Sequence, residues 1–292
     1  MEMDRRSPTI RRRRLGAELR KHRESAGVTI DFAATRLECS SSKISRIETG
    51  HNAATPRDVA HLLAIYGIDG AEADELLEIA REARQKGWWH PYSAVLTGAY
   101  VGLEAAASEI SAYEQQVVPG LLQTREYARA MIRAARPNIT VDEVERRVRV
   151  RLGRQSLLSQ DDPIDFRVVL DEAVLSRPVG GDAVMRAQLA RLALMSERPT
   201  VTLQVLPFAV GGHAGMDGTF AILRFPEQDD PDVVYAENAT GGLFIEKQEE
   251  LHKYTAIFDH IRAAALSPEE SLARLTKLAK EPLWNLRQRD SG

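Results

Sequence analysis

Residues Thr29 to Gly50, TIDFAATRLECSSSKISRIETG, constrain the fold more than any other stretch of this 292-residue chain, because their spacing describes two short helices joined by a tight turn. Thr29 is placed to cap the first helix, and Ala33, Ala34 and Leu37 give it one apolar face. Glu38, Cys39 and Ser40 fill the turn. Ser40 or Ser41 caps the second helix, whose large apolar residues Ile44 and Ile47 stand three apart and so share a side. Ser41, Ser42, Lys43, Ser45 and Arg46 therefore face outward, and Gly50 sits where a left-handed residue ends a helix.

Short hydroxyls and long cations on an outward helix are the side chains that bond base edges and phosphates in a DNA major groove. The competing reading is a small helical hairpin that binds nothing, and charge argues against it. From Arg5 to Arg57 there are thirteen Lys or Arg against five Asp or Glu, a surplus of eight, in a chain whose formal net charge is −3. Positive charge is thus concentrated at the end that carries the candidate reading helix, as contact with phosphates requires.

On the string Ser40-Ser41-Ser42-Lys43-Ile44-Ser45-Arg46-Ile47-Glu48-Thr49-Gly50 the chain resembles the repressor/Cro-type helix-turn-helix, or XRE, family over Arg13 to about Ala80. The resemblance implies a five-helix bundle, and five segments fit it: Arg13–Ala26, Thr29–Glu38, Ser41–Thr49, Pro56–Tyr66 and Ala71 to about Gln85. Thr55, Pro56 and Asp58 supply a cap, a first-turn proline and a first-turn acid for the fourth. Carried over position by position, Ser41, Ser42 and Arg46 face bases, while Thr29, Lys43, Ser45 and Arg57, with Arg13 and Arg14, lie nearer the phosphates. Many relatives place a phosphate-gripping glutamine just after the first of these caps, where this chain has Ile30. Arg46 is the strongest candidate for sequence readout because a guanidinium can bond guanine O6 and N7 together. Pairing with Glu48 or a helix neighbour is its alternative use.

Ahead of the bundle, residues 1–12 read as a basic flexible tail, a source of nonspecific affinity or a minor-groove arm. They contain no apolar core of a secretory signal, and nothing elsewhere reaches the ~18 apolar residues of a membrane span, so a cytoplasmic, membrane-free protein is expected. The single cysteine, Cys39, excludes an internal disulfide and a cysteine-cluster metal site.

The bundle, residues 13–86, leaves most of the chain for a second domain. The segment 87–98, with Trp88, Trp89 and Tyr92, reads as an aromatic linker expected to dock on that domain. Residues 99–292 alternate helical and β-rich patterns. Helices are expected at Val101–Gln116, Arg125–Ala135, Thr140–Leu158 behind a Thr140/Glu143 capping box, Asp182–Ser196, Lys247–Ala265 and from Ser267 to about Lys280. Strands are expected at Asp165–Leu170, Val201–Leu206, Thr219–Phe225 and Val233–Tyr235, with Gly242–Glu246 as a weaker fifth. The fold class is therefore multi-domain: an N-terminal all-α five-helix bundle followed by an α+β regulatory domain with a small mixed or antiparallel sheet.

The arginines of the Thr140 helix read as a solvated face, paired by Glu143 and Glu145, although such clusters also suit an acidic partner or anionic ligand. Gly211 to Gly215 lacks both the phosphate-loop lysine and dinucleotide-loop spacing, and His213 has no partner at metal-ligand spacing. Asp171 and Glu172 fit a strand-to-helix cap as well as acid/base residues. No catalytic, metal or cofactor site is expected, and no enzyme.

Val118-Pro119-Gly120-Leu121-Leu122-Gln123-Thr124, Asp171-Glu172-Ala173-Val174-Leu175, Arg177-Pro178-Val179-Gly180-Gly181 and Val205-Leu206-Pro207-Phe208 are similar to the second domain of WhiJ-like regulators of filamentous actinobacteria. That resemblance implies an antitoxin-like transcriptional regulator that answers to a small protein encoded nearby. The expectation is a homodimeric repressor on a palindromic double-stranded operator, with a small partner protein as its signal; the alternative signal is a small-molecule ligand in the second domain.

Overall fold

The computed structural model describes residues 8–85, 98–227, 230–238, 241–282 and 284. The aromatic segment with Trp88, Trp89 and Tyr92, and the basic residues Arg5 and Arg6, lie outside them. The chain divides into two compact units.

The first unit holds helices α1 (Pro8–Ser25), α2 (Ile30–Arg36), α3 (Ser41–Glu48), α4 (Pro56–Tyr66), α5 (Gly70–Glu82) and α6 (Gly98–Ala106). Leu15 and Leu19 of α1, Ala33 and Ala34 of α2, Ile44 and Ile47 of α3, and Val59, Leu62 and Leu63 of α4 meet Leu76 and Ile79 of α5 in one buried core. Local chemistry sets the boundaries. Thr55 caps α4 through the Asp58 amide at 3.0 Å, Pro56 opens it, and Gly67 closes it at φ 76°.

Two boundaries correct the expectations. α1 begins at Pro8, so residues 8–12 are helix and not flexible tail. The reason is that Ile10 is buried, Arg11 pairs with Glu82 at 3.0 Å, and Arg12 Nε donates to the Ala83 carbonyl at 2.8 Å, which fixes the arginine run to the end of α5. The helix expected over Val101–Gln116 stops at Ala106, joins the first unit against α1, and gives way to strand β1 (Glu109–Glu114). Ile110, Ser111, Ala112 and Tyr113 are all buried, since both faces of this central strand are covered; the alternation that marks a half-exposed strand is therefore missing.

The second unit is built on β1, β2 (Asp165–Asp171), β3 (Val201–Leu206), β4 (Phe220–Arg224), β5 (Val233–Asn238) and β6 (Gly241–Ile245). They form one mixed six-stranded sheet in the order β3-β2-β1-β4-β5-β6. β1, β2 and β3 are parallel, with Ile110 opposite Phe166 and Phe166 opposite Val201, and β4 to β6 continue antiparallel from Ile110 opposite Leu223. Parallel neighbours need crossovers: α7 (Arg125–Ala135) and α8 (Val141–Arg154) link β1 to β2, and α9 (Glu172–Ser176) and α10 (Asp182–Ser196) link β2 to β3. Helix α11 (Gln248–Ala264) buries Leu251, Phe258 and Ile261 against Tyr113, Val169, Phe220 and Ile222, while α12 (Pro268–Lys280) lies along β3 and α10.

Polar details differ from the sequence pattern in instructive ways. Only the Thr140 half of the capping box on α8 forms, because the Glu143 carboxylate engages Arg147 at 3.0 Å and Arg146 at 3.4 Å; Glu145 instead reaches Arg129 of α7 at 2.6 Å. Asp171 is the cap of α9, accepting from the Ala173 amide at 2.8 Å, and Glu172 accepts from the Phe208 amide at 2.9 Å and pairs with Arg274. His213 Nδ1 accepts from the Gly215 amide at 3.1 Å.

Glu114 ends β1, and burial, then the charge of Glu237, push its carboxyl up from 4.5 to about 8 against the opposing pull of Arg151 and a Thr219 hydrogen bond. A folded-state pKa above the unfolded one means that the folded state binds the extra proton, so its contribution is present below pH 4.5 and is lost as pH rises to 8. Wild type is expected to lose stability across that window, and Glu114→Gln to flatten the loss; urea melts at pH 5 and pH 8 that change equally in both proteins would refute this.

Candidate nucleic-acid interface

Two side-chain caps define the hairpin: Thr29 Oγ1 accepts from the Phe32 amide at 3.1 Å to start α2, and Ser40 Oγ accepts from the Lys43 amide at 3.2 Å to start α3. Glu38 makes the turn at φ 53°, the only positive φ outside glycine among the described residues. Ile44 and Ile47 are buried at 0 % and 2 % exposure, which fixes the rotation of α3 and leaves Ser42, Ser45 and Arg46 exposed, with Ser41 and Lys43 half-buried.

The far end of α3 is held by an ion pair that the motif alone does not reveal. Arg23, at the end of α1, donates from Nε and Nη2 to the two Glu48 carboxylate oxygens at 2.7 and 3.0 Å, and each residue is 8 % exposed. A third Arg23 donor reaches the Val28 carbonyl at 3.0 Å, tying in the start of α2. The helices approach so closely that a Cβ on Gly16 would stand 2.5 Å from the Ile47 carbonyl oxygen. Gly50, at φ 69°, packs its backbone against Arg13, where a Cβ would meet Cγ at 2.8 Å.

The engagement of Glu48 by Arg23 answers the alternative use of Arg46: Glu48 faces Arg23, and Arg46 has no acidic partner among the described residues. Arg57 and Arg36, both exposed, have none either. Most other cations of this unit are engaged, Arg14 with Glu75 at 3.3 Å and Arg20 with Glu24 at 2.8 Å among them. Arg13 is a correction to the phosphate set. It is buried, burial lowers its guanidinium to about 10, and its place is beneath Gly50 and not on the surface.

Two of the expected contact residues are already held. Ser41 Oγ donates to Asp31 Oδ1 at 2.5 Å, leaving its lone pairs as the group it can offer a base donor. Lys43 Nζ reaches Asp58 Oδ2 at 3.0 Å. Burial alone would raise the Asp58 carboxyl, but the hydrogen bond and charge of Lys43, with the Thr55 contacts, hold it below the usual range. Thr29 and Ser45 stay exposed. Arg36 and the exposed Phe32, beside the turn on α2, were not singled out by the motif; their outward positions follow from the two alanines that turn the other face of α2 inward.

Residues 97–277, more than half of the chain, match the family model described as a domain of unknown function, DUF5753. The chain belongs to the DUF5753 family. Residues 14–76 match a helix-turn-helix domain, so this DUF5753 protein carries the module of a DNA-binding regulator on α1 to α5. No curated protein and no solved structure matches the chain. Among the described residues no helix is long and apolar enough to cross a membrane.

Replacing Asp58 with Asn should release Lys43. If Lys43 lies beside a phosphate, binding to a random-sequence duplex should tighten a few-fold near 0.1 M salt, and the slope of log K against log salt should steepen by about 0.9. An unchanged slope in a fluorescence-anisotropy titration would remove Lys43 from the phosphate set.

Proposed function

We propose that this protein is a sequence-specific transcriptional repressor that binds a palindromic operator as a homodimer. Ser41, Ser42 and Arg46 are its base readers, and Thr29, Lys43, Ser45 and Arg57 its phosphate contacts; Arg14, paired with Glu75, is left out of that set. The observation that carries the reading is the exposed Arg46 on a helix whose opposite face is fixed by Ile44, Ile47 and the Arg23–Glu48 pair. A guanidinium without an acidic partner, on a helix held in one rotation, is poised for bidentate contact with guanine.

Dimerisation follows from energetics. One such module offers a small set of contacts, whereas two half-sites about 34–36 Å apart double the readout through symmetry. In this reading the DUF5753 unit receives the signal from a small partner protein in an antitoxin-like pair, as the resemblance to WhiJ-like regulators implies, and the protein works in the cytoplasm without catalytic chemistry of its own.

Genome-wide binding followed by footprinting is expected to reveal a palindrome with half-sites one helical turn apart. Arg46→Ala should weaken operator binding by about 1–3 kcal/mol and relax preference at one base position per half-site, with binding to random DNA little changed. An equal loss on operator and random duplexes would show that Arg46 contacts phosphate and does not read sequence.

A further inference from the structure

The second unit has an open surface cavity of about 240 Å³ between the turn that follows α8 and the C-terminal half of α10, lined mainly by polar groups: Gln155, Ser156, Ser159, Arg191 and Arg198. Of its two cations, Arg191 is half-buried and Arg198 is exposed. Elsewhere in this unit Arg129 pairs with Glu145, Arg147 with Glu143 and Arg186 with Asp182. Arg191 and Arg198 have no carboxylate within ion-pair distance among the described residues; Arg191 Nη2 donates to Gln155 Oε1 at 3.3 Å and Arg198 Nη1 to the Leu158 carbonyl at 2.8 Å, both neutral acceptors.

The Arg191 Nε is buried with no hydrogen-bond partner. Burial, and then the neighbouring charge of Arg198, push the Arg191 guanidinium below its usual value. Two like charges on one wall also repel each other. The remaining polar groups are already committed: Ser156 Oγ donates to the Gly153 carbonyl at 2.8 Å, Ser159 Oγ to the Ser156 carbonyl at 3.4 Å, and Gln155 Nε2 to the Gly120 and Gln123 carbonyls at 3.1 and 2.7 Å. The cavity therefore offers guanidinium N–H donors, and what completes it is a ligand that only accepts and carries negative charge.

We propose that this cavity is a binding site for a small oxyanion of the phosphate class, either free or at the end of a phosphomonoester, gripped between the forks of Arg191 and Arg198. A cavity of this volume, with its cations limited to Arg191 and Arg198, matches a compact anion that both guanidinium groups can reach at once. The site is independent of the helix-turn-helix unit, so its ligand can be titrated without DNA.

The test is calorimetric titration of the full-length protein with inorganic phosphate and with ribose 5-phosphate at constant ionic strength, with chloride as the blank. Saturable phosphate binding is expected, and tighter binding of the ester would identify a phosphomonoester as the ligand type. Arg191→Gln should weaken binding at least about tenfold, equivalent to about 1.4 kcal/mol. Arg198→Lys, at an exposed position where folding is not in question, should weaken it by keeping the charge but losing the fork. Arg186→Gln on the same helix should leave it unchanged. No binding, or equal binding by wild type and the Arg191 and Arg198 variants, would overturn the proposal. Tighter capture of a hexaglutamate peptide through the same two arginines would also overturn it, in favour of an acidic protein segment. Loss of operator recognition in Arg46→Ala with phosphate binding intact would leave the two proposals separately judged.

Discussion

The buried pair between Arg23 and Glu48 is the interaction on which the DNA-facing surface depends. It joins the last turn of α1 to the last residue of α3, so it sets the distance and rotation of the candidate reading helix against the longest helix of its unit. Removing one partner of such a pair leaves an uncompensated charge, typically at a cost of about 3–5 kcal/mol, a large share of the stability of a small domain. Gly16 is the complement of this pair. Only a residue without Cβ lets α1 approach the Ile47 and Glu48 carbonyls closely enough for Arg23 to bond both carboxylate oxygens. Glu48 within the I-S-R-I-E-x-G string is thus explained by its work inside the bundle, while Arg46, two residues earlier, is turned the other way.

The same accounting of partners changes the meaning of the basic charge at this end of the chain. Counted by composition, it is a surplus available to phosphates. Counted by contact, much of it is structural: Arg11 meets Glu82, Arg12 an α5-terminal carbonyl, Arg14 Glu75, and Arg23 Glu48. The exposed cations without an acidic partner among the described residues include Arg36 on α2, Arg46 on α3 and Arg57 on α4. The long-range field still attracts DNA, since pairing leaves the net surplus intact. Short-range contacts, however, fall to the residues whose donors are not already taken.

Much of the first unit was legible because its signals are local. Thr29, Ser40 and Thr55 each cap the amide three residues on, and Gly50 and Gly67 take the left-handed conformation, so boundaries follow from neighbours in sequence. The errors arise where distant residues decide. Pro8 to Arg12 are helical because α5 supplies Glu82 and the Ala83 carbonyl, more than seventy residues away. β1 resembled a helix because the sheet and its covering helices bury both of its faces. The contacts of Arg23 with Glu48 and of Lys43 with Asp58 join segments that no periodicity connects, and the cavity at Arg191 combines residues from either side of β2.

Magnitude links the small helical unit to the larger one. A bidentate arginine contributes about 1–3 kcal/mol of discrimination, and specific recognition in a genome needs roughly 4–10 kcal/mol over nonspecific binding. With Ser41 already donating to Asp31 and Lys43 held by Asp58, a single α3 surface falls short of that range. In the proposed homodimer two surfaces acting together reach it, so occupancy of the operator depends on whatever keeps the two copies engaged. On the proposed reading, a ligand or partner of the DUF5753 unit therefore need not touch the reading helix. A bias of about 1–3 kcal/mol between engaged and disengaged dimers, an ordinary coupling energy, changes operator occupancy by one to two orders of magnitude. On that reading the α3 surface needs only to be rigid, as the burial of Ile44 and Ile47 and the Arg23–Glu48 pair make it.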